Sequence, residues 1–245
     1  MVEVSALSIV RAVLPPRARR WMRRLYGAAR FDAAMRRFAA DPEAAVAPGS
    51  RVLAELISAW GNAGWSAQEE YLRVCITEAL SSNGPTLECG SGLSTLLLAV
   101  VAQRGGFEHW ALEHQREWSV RVQRDLARYG LPAARVSTAA LKSYSGFDWY
   151  DPPLGRMPSR FALVVCDGPP SGTVGGRYGL VPVMGDRLQP GCVILLDDAW
   201  REDERAVARR WDAELGATHE LVSCSKPFIR MVVTGHLAQT PLTTA

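Results

Sequence analysis

The sequence lacks the patterns that mark several large classes of protein. Its five cysteines form no C-x-x-C pair, its four histidines are not at ligand spacing, and no uncharged apolar run is long enough to cross a bilayer. G-x-S-x-G and P-loop patterns are also missing. These absences argue against a structural zinc site, a transmembrane helix and the commonest hydrolases and nucleoside triphosphatases. The scattered cysteines are typical of reduced, packed side chains, which predicts a cytoplasmic protein.

Hydropathy and charge are those of an ordinary folded protein. Hydrophobic residues make up 48% of the 245 residues and charged residues 22%, which predicts one α/β domain with an appendage. A formal net charge of +3 is too small to indicate nucleic-acid binding, and none is expected. The charge is uneven, however, because the first 40 residues hold nine arginines against Glu3 and Asp32.

The arginine-rich segment over residues 15–40 has apolar side chains at helical spacing. They are Trp21, Leu25, Ala28, Ala29, Phe31, Met35 and Phe38. This pattern predicts a basic amphipathic helix, or a pair of helices, in an N-terminal segment over residues 1–80 that caps the rest or mediates association. A solvated helix face is the favoured interpretation. Contact with a membrane surface or an acidic partner, and a homodimer through the apolar stripe, remain open.

From residue 81 onwards, apolar strand-like runs alternate with helical patterns, as in βαβ units. Strands are predicted at 86–89, 109–113, 134–139, 161–167, 192–198, 219–224 and 228–234, and helices at 93–103, 115–130, 179–188 and 201–215. Nearly continuous apolar strands predict a parallel sheet covered on both faces. The last two strands, joined by a Lys226-Pro227 turn, predict a hairpin at the sheet edge.

Four of the predicted strands carry an acid at or next to their carboxyl end. These acids are Glu88, Glu113, Asp167 and the pair Asp197 and Asp198. In an open parallel sheet, ligands bind beyond the carboxyl ends of the strands, near the point where strand order reverses. The carboxylates therefore mark the predicted site.

The stretch ECGSGLST, residues 88–95, follows the first predicted strand and opens a helix. A dinucleotide loop would have a third glycine where Thr95 stands, and Glu88 would repel a pyrophosphate. A ligand with cationic groups and a nucleoside suits this loop better. S-adenosylmethionine (SAM) has these properties, because its ammonium and sulfonium are both positive.

On these residues the chain resembles the class I SAM-dependent methyltransferases. The family's acid-x-Gly-x-Gly-x-Ser/Thr motif matches at Glu88, Gly90, Gly92, Ser94 and Thr95, and the resemblance covers about residues 80–235. It implies a Rossmann-like, seven-stranded, mostly parallel sheet with a C-terminal antiparallel hairpin and helices on both faces. The SAM-binding domain would then span residues 81–237, followed by a short tail over 238–245.

The resemblance also implies the roles of several cofactor-binding residues. Glu113 is expected to hold the ribose hydroxyls, with His114 as its neighbour on the adenosine side. Ala140 and Leu141 would lie against adenine, and Asp167 would lie near the methionyl end.

A narrower resemblance links Asp167, Asp197 and Asp198 to metal-dependent O-methyltransferases of the catechol and macrocin type. It implies a Mg²⁺ ion held by these three carboxylates. Two alternatives remain: Asp197 and Asp198 could cap the following helix, and Asp167 could act without metal. The catechol enzymes carry a lysine base where this chain has Pro170, so Asp167, Asp198 or a metal-bound hydroxide would serve as base.

Three residues are candidates for contact with the substrate: Arg177, Tyr178 and Trp200. Arg177 lies in a glycine- and proline-rich loop, where it would either bind an acidic substrate group in a forked hydrogen bond or anchor its own loop.

Trp60, Asn62 and Trp65 precede a predicted capping box at Ser66 and Glu69. These three side chains would either close over the site or pack in the core.

The predicted reaction is O-methylation of a hydroxyl on a small molecule or glycan, with SAM as donor and Mg²⁺ as a possible aid. A metal-independent N- or protein methyltransferase and a non-catalytic scaffold with the same fold are the alternatives. NAD-dependent oxidoreduction is disfavoured by Thr95.

Overall fold

The computed structural model describes residues 15–61 and 67–235. The chain divides into two compact units, Met1–Trp65 and Ser66–Ala245, and each is described by itself. Within the described residues, no helix combines the length and the hydrophobicity needed to cross a bilayer.

In its described part, the first unit contains three helices, α1 (Pro16–Ala40), α2 (Pro42–Val46) and α3 (Val52–Trp60). The arginine-rich segment is thus a single helix, which begins with a proline whose fixed φ suits a first helical position. Its second half packs on α3, with Phe31, Met35 and Phe38 buried.

The predicted apolar stripe of α1 is only partly buried. Leu25, nearer the start of the helix, is 50% exposed. The buried part of the stripe therefore does not extend as far as Leu25. The side chain of Trp21 lies outside the described part of the chain. Trp60 packs in the core, with its ring centroid 5.5 Å from that of Phe31.

The second unit begins with α4 (Glu69–Ser81), whose N-cap is Gln68. The helix therefore begins later than a capping box at Ser66 would place it, and Asn62, Trp65 and Ser66 themselves lie outside the described residues. The elements that follow are β1 (Thr86–Cys89), α5 (Leu93–Gly105), β2 (His109–Glu113), α6 (Arg116–Arg128), β3 (Val136–Thr138), β4 (Leu141–Tyr144), β5 (Phe147–Tyr150), β6 (Phe161–Cys166), α7 (Leu180–Met184), β7 (Leu188–Leu196), α8 (Glu202–Leu215), β8 (Ala217–Val222) and β9 (Phe228–Val233).

Seven strands form one sheet in the order β3-β2-β1-β6-β7-β9-β8. The first five run parallel, and β9 is antiparallel to both β7 and β8. The predicted fold is therefore confirmed, including the C-terminal hairpin. Strand order reverses at β1, because β2 lies on one side of it and β6 on the other.

Helices cover both faces of this sheet. On one face, α4 places Tyr71 against Phe228 of β9, with ring centroids 5.1 Å apart, and its hydroxyl donates to the Leu195 carbonyl at 3.0 Å. On the other face, the fully buried Trp211 of α8 packs in a continuous apolar core with the strands. All five cysteines are free, and four of them are buried.

The sequence pattern did not predict the small β4–β5 hairpin. Its two strands pair antiparallel, separately from the main sheet. Trp149 and Tyr150 of β5 are fully buried in the core. Gly179, just before α7, packs directly against Trp149: a Cβ there would lie 2.5 Å from the Trp149 Cβ and Cγ atoms.

We therefore expect Gly179→Ala to lower the free energy of unfolding by about 1–3 kcal/mol, because the added methyl group overpacks the hairpin. Gly172→Ala is the matched control, since a Cβ at Gly172 has no neighbour within 4 Å. Urea unfolding of both variants measures the difference. Equal stability would show that the hairpin packs loosely.

Candidate active site

Backbone hydrogen bonds align the ends of the central strands. The N–H groups of Gly90, Asp167 and Asp197 each donate to the carbonyl of the last or next-to-last residue of the adjacent strand, at 2.9, 3.0 and 3.1 Å. The first residues beyond β1, β6 and β7 therefore form a row at the carboxyl edge of the sheet. This row lies where strand order reverses, which is the ligand position in open α/β sheets.

The glycine loop between β1 and α5 is held at several points. Gly90 has a φ of +96° and lies against the backbone of Asp167, so this position favours glycine. Ser91 donates its hydroxyl to Glu113 Oε2 at 2.8 Å, and Trp118 donates its indole N–H to the Ser91 carbonyl at 2.7 Å. The Gly92 N–H donates to Thr95 Oγ1 at 2.8 Å.

Glu88 and Thr95 support this loop from inside the protein. The Glu88 carboxylate is 2% exposed and accepts hydrogen bonds from the hydroxyls of Ser94 and, at 2.6 Å, Thr95. His109 Nε2 lies 3.5 Å from Glu88 Oε2. We expected Glu88, Ser94 and Thr95 to bind the cofactor. Both oxygens of Glu88 accept hydrogen bonds from side chains of this loop, and Thr95 Oγ1 accepts from the Gly92 N–H, so Glu88 and Thr95 hold the loop in position.

Glu113, at the end of β2, is 4% exposed. Its Oε2 accepts from Ser91, and its Oε1 accepts from the Gln115 N–H at 2.8 Å. A carboxylate has about four lone-pair positions, so two remain for a ligand diol. His114 follows directly, with its Nδ1 3.2 Å from Glu113 Oε1. This geometry suits the predicted ribose-binding role.

The predicted adenine contact lies beside Glu113. The N–H of Ala139 donates to the Glu113 carbonyl at 2.8 Å, which brings the end of β3 next to β2. Ala140 and Leu141 follow, and both are exposed. They offer apolar surface at the same edge of the sheet.

Asp167, Asp197 and Asp198 come together as the sequence predicts. One oxygen from each lies within 4.8 Å of the others. Asp198 has a φ of +62°, and its N–H donates to Asp197 Oδ1 at 2.7 Å. The turn after β7 thus directs both carboxylates towards Asp167. Neither caps α8, whose N-cap is Arg201 without a side-chain cap.

Arg177 lies at the centre of this acidic cluster and is 2% exposed. Its Nη2 donates to Asp198 Oδ2 at 2.7 Å and to Asp167 Oδ1 at 3.1 Å, and its Nη1 donates to the Asp197 carbonyl at 2.6 Å. Its Nε lies 3.7 Å from Glu204. The guanidinium is committed to the protein's own carboxylates, so the geometry favours the anchoring role over contact with the substrate.

Lys226 is a site residue that the sequence analysis missed. Its ammonium donates to Asp197 Oδ2 at 3.0 Å and pairs with Asp198 Oδ1 at 2.8 Å. The topology of the sheet places it there, because β9 is antiparallel to β7 and therefore starts at the carboxyl edge of the sheet. The Lys226-Pro227 turn immediately precedes that start.

The electrostatics of the cluster differ from one carboxyl to the next. Burial raises the pKa of Asp167 to about 7, against the opposing effect of Arg177 and with a contribution from Asp197 and Asp198. For Asp198, the hydrogen bond from Lys226 and the charge of Arg177 outweigh burial and lower the pKa. The two aspartates raise the pKa of Lys226 although burial opposes this.

The donor set does not fit a Mg²⁺ ion. Three carboxylates are suitable ligands for this ion, but each one already pairs with a side-chain cation. Arg177 pairs with Asp167, and Lys226 pairs with Asp197. Asp198 pairs with both of these cations and with a third, Arg201, whose Nη1 lies 2.9 Å from Asp198 Oδ2. A metal ion would have to displace these groups.

The other two predicted substrate residues lie in different surroundings. The hydroxyl of Tyr178 donates to Glu214 at 2.9 Å. Glu214 is near the end of α8, which runs back from the carboxyl edge, so this hydroxyl points away from the site. Trp200 is 57% exposed, its indole N–H lies 3.3 Å from Asp198 Oδ1, and the Arg201 guanidinium lies over one face of its ring, 5.0 Å from the centroid.

Replacing Arg177 tests how far the cluster depends on it. We expect Arg177→Met to lower the free energy of unfolding by about 3–5 kcal/mol, because it leaves buried carboxylates without their partner. Arg209→Met, which removes an exposed pair with Glu202, should cost less than about 1 kcal/mol.

The loss of unfolding free energy in Arg177→Lys should lie between those of these two variants, because lysine keeps the positive charge but cannot make the forked hydrogen bonds of a guanidinium. Urea unfolding measures all three. If Arg177→Met is no more damaging than Arg209→Met, the guanidinium does not hold the cluster.

No protein-family model matches the chain, and no curated protein matches it either. Solved structures are similar in fold. A Podospora anserina methyltransferase bound to S-adenosylhomocysteine (SAH) has a TM-score of 0.53 at 15% identity, over 71% of this chain and 82% of that one. A precorrin-6y C5,15-methyltransferase from Geobacter metallireducens has a TM-score of 0.51 at 15% identity, over 70% of this chain and 90% of that one. An O-methyltransferase from Bacillus cereus in complex with SAH has a TM-score of 0.50 at 17% identity, over 76% of this chain and 92% of that one. The chain has the Rossmann-like fold of class I methyltransferases.

Proposed function

We propose that this protein transfers a methyl group from SAM to a hydroxyl of a small molecule or glycan. The observation that carries the proposal is Glu113, buried at the end of β2, tied to the glycine loop through Ser91 and left with unused acceptor positions. Each oxygen of this carboxylate already accepts one hydrogen bond and has a lone pair left for a further donor, so a ligand diol could offer two such donors. The two ribose hydroxyls of SAM supply them.

The rest of the cofactor fits the same edge of the sheet. Ala140 and Leu141 would contact adenine, and the Gly90–Gly92 loop allows the chain of the cofactor to approach the backbone. The methionyl end would then lie towards Asp167. A pyrophosphate is disfavoured here, because Glu88 places negative charge under the loop and Thr95 fills the place of a third glycine.

Bound SAM supplies an electrophilic methyl group on a positively charged sulfur. The acceptor oxygen forms a bond to this carbon, the carbon–sulfur bond breaks, and SAH leaves with the electron pair. The hydroxyl proton goes to Asp167, whose side chain is 36% exposed and whose pKa is raised to about 7. A base with a pKa near the working pH is effective in this step. The protein's main contribution is to hold the two reactants in line.

A hydroxyl acceptor is favoured by the carboxyl at Asp167 and by the exposed ring of Trp200 beside it. An aromatic face next to the reacting position can pack on an aromatic or sugar ring. One of the solved structures with a similar fold is an O-methyltransferase, which supports the same reaction class.

Calorimetric titration with SAH and with NAD⁺ tests the cofactor directly. We expect SAH to bind and NAD⁺ not to bind, in the presence of EDTA. A screen of sugar and aromatic hydroxyls with SAM should then produce SAH together with a product that is heavier by one CH₂. If SAH does not bind, the proposed function fails, and a non-catalytic scaffold becomes the favoured alternative.

A variant at Glu113 tests the ribose site. Glu113→Gln should weaken SAH binding by about tenfold or more, because hydrogen bonds to a charged group contribute about 1.5–3 kcal/mol each. Glu117→Gln is the matched control, since Glu117 lies exposed in the first turn of α6. Calorimetry measures both affinities. Unchanged SAH affinity in Glu113→Gln would remove the ribose assignment.

A further inference from the structure

The position of Lys226 follows from the topology of the sheet. The strand β9 lies beside β7 and runs antiparallel to it, with Leu196 opposite Ile229. The residues just before β9 therefore lie beside those just after β7. Lys226 thus lies outside the parallel part of the sheet. Its Nζ atom lies 3.0 Å from Asp197 Oδ2 and 2.8 Å from Asp198 Oδ1.

We propose that Lys226, supported by Arg177, is the built-in cation of this site, and that it occupies the place that a divalent metal ion would take between Asp197 and Asp198. The side chain is 28% exposed, so the ammonium lies at the boundary between the buried cluster and the open edge. An ammonium has three donors. The two aspartates engage two of them, and the third binds an oxygen of the acceptor.

The charges of the cluster are almost balanced without a metal ion. Four carboxylates face three cations; the carboxylates are Asp167, Asp197, Asp198 and Glu204, and the cations are Arg177, Arg201 and Lys226. A divalent ion added to this set would meet an ammonium and a guanidinium within a few ångströms and would be repelled. Its binding therefore requires that Lys226 moves away.

Mn²⁺ binding tests the inference without any turnover. In titrations followed by electron paramagnetic resonance, the wild-type protein should leave Mn²⁺ free. Lys226→Met should bind Mn²⁺ at least about tenfold more tightly, because removing the ammonium leaves the adjacent oxygens Asp197 Oδ2 and Asp198 Oδ1 without a cation. Adding Asp197→Asn to that variant should abolish the gain.

The control variant uses the only other lysine. Lys142 is 57% exposed and pairs with Asp151 at 3.8 Å on the β4–β5 hairpin. Lys142→Met should leave Mn²⁺ free, as in the wild type. Because the chain has only two lysines, nuclear magnetic resonance of protein with ¹⁵N-labelled lysine gives two ammonium signals, which these variants assign. The Lys226 signal should be protected from solvent exchange and unchanged by Mg²⁺.

Two results would overturn the inference. The first is Mn²⁺ binding by the wild-type protein that Asp197→Asn abolishes, since it would make the cluster a metal site. The second is a Lys226→Met variant that still leaves Mn²⁺ free, since Lys226 would then not be the group that fills the position. The inference concerns the same site as the proposed function, and SAH binding by the wild-type protein in the same buffer distinguishes the failure of one from the failure of the other.

Discussion

Buried negative charge at the carboxyl edge of the sheet has to be balanced, and Arg177 pairs with three of the four carboxylates there. Isolated buried carboxylates are strongly destabilising, whereas hydrogen-bonded ion pairs are tolerated. The loop after β6 must therefore fold back over the edge until Arg177 reaches Asp167 and Asp198. The same path brings Gly179 against Trp149 and so fixes the β4–β5 hairpin. One ion-pair network thus determines the position of a loop, a hairpin and two proposed functional acids.

The glycine loop and the acidic cluster are coupled through the backbone. Gly90 lies against the Asp167 backbone, and the Asp167 N–H donates to the carbonyl of Cys89. A shift of β6 relative to β1 would therefore move both the glycine loop and Asp167. Because the reacting groups in methyl transfer must be aligned within fractions of an ångström, a rigid central pair of parallel strands is a suitable base for them.

The sequence was sufficient for the sheet and for most of the residues at its edge. Buried parallel strands are nearly continuous apolar runs, so β1, β2, β6 and β7 could be recognised. The position of the acids at the carboxyl edge of the sheet followed from the position of these strands. The hairpin was missed because LKSY and FDWY are short and contain charged residues. Lys226 was missed because a local pattern does not say whether β8 or β9 lies next to β7. The same limitation affected Arg177, whose partners come from distant strands.

The proposed place of Lys226, where a metal ion would otherwise lie, changes what the rest of the site must do. A divalent ion would lower the pKa of a bound hydroxyl by itself, whereas an ammonium has only half the charge and acts mainly by holding an oxygen in position. The proton must then go to a base, and Asp167 is the carboxyl of the cluster whose pKa is raised to about 7. Asp198, with its lowered pKa, is better suited to hold Lys226 and Arg177. The roles proposed for Asp167 and Asp198 thus differ because the cationic neighbours of the two carboxyls differ.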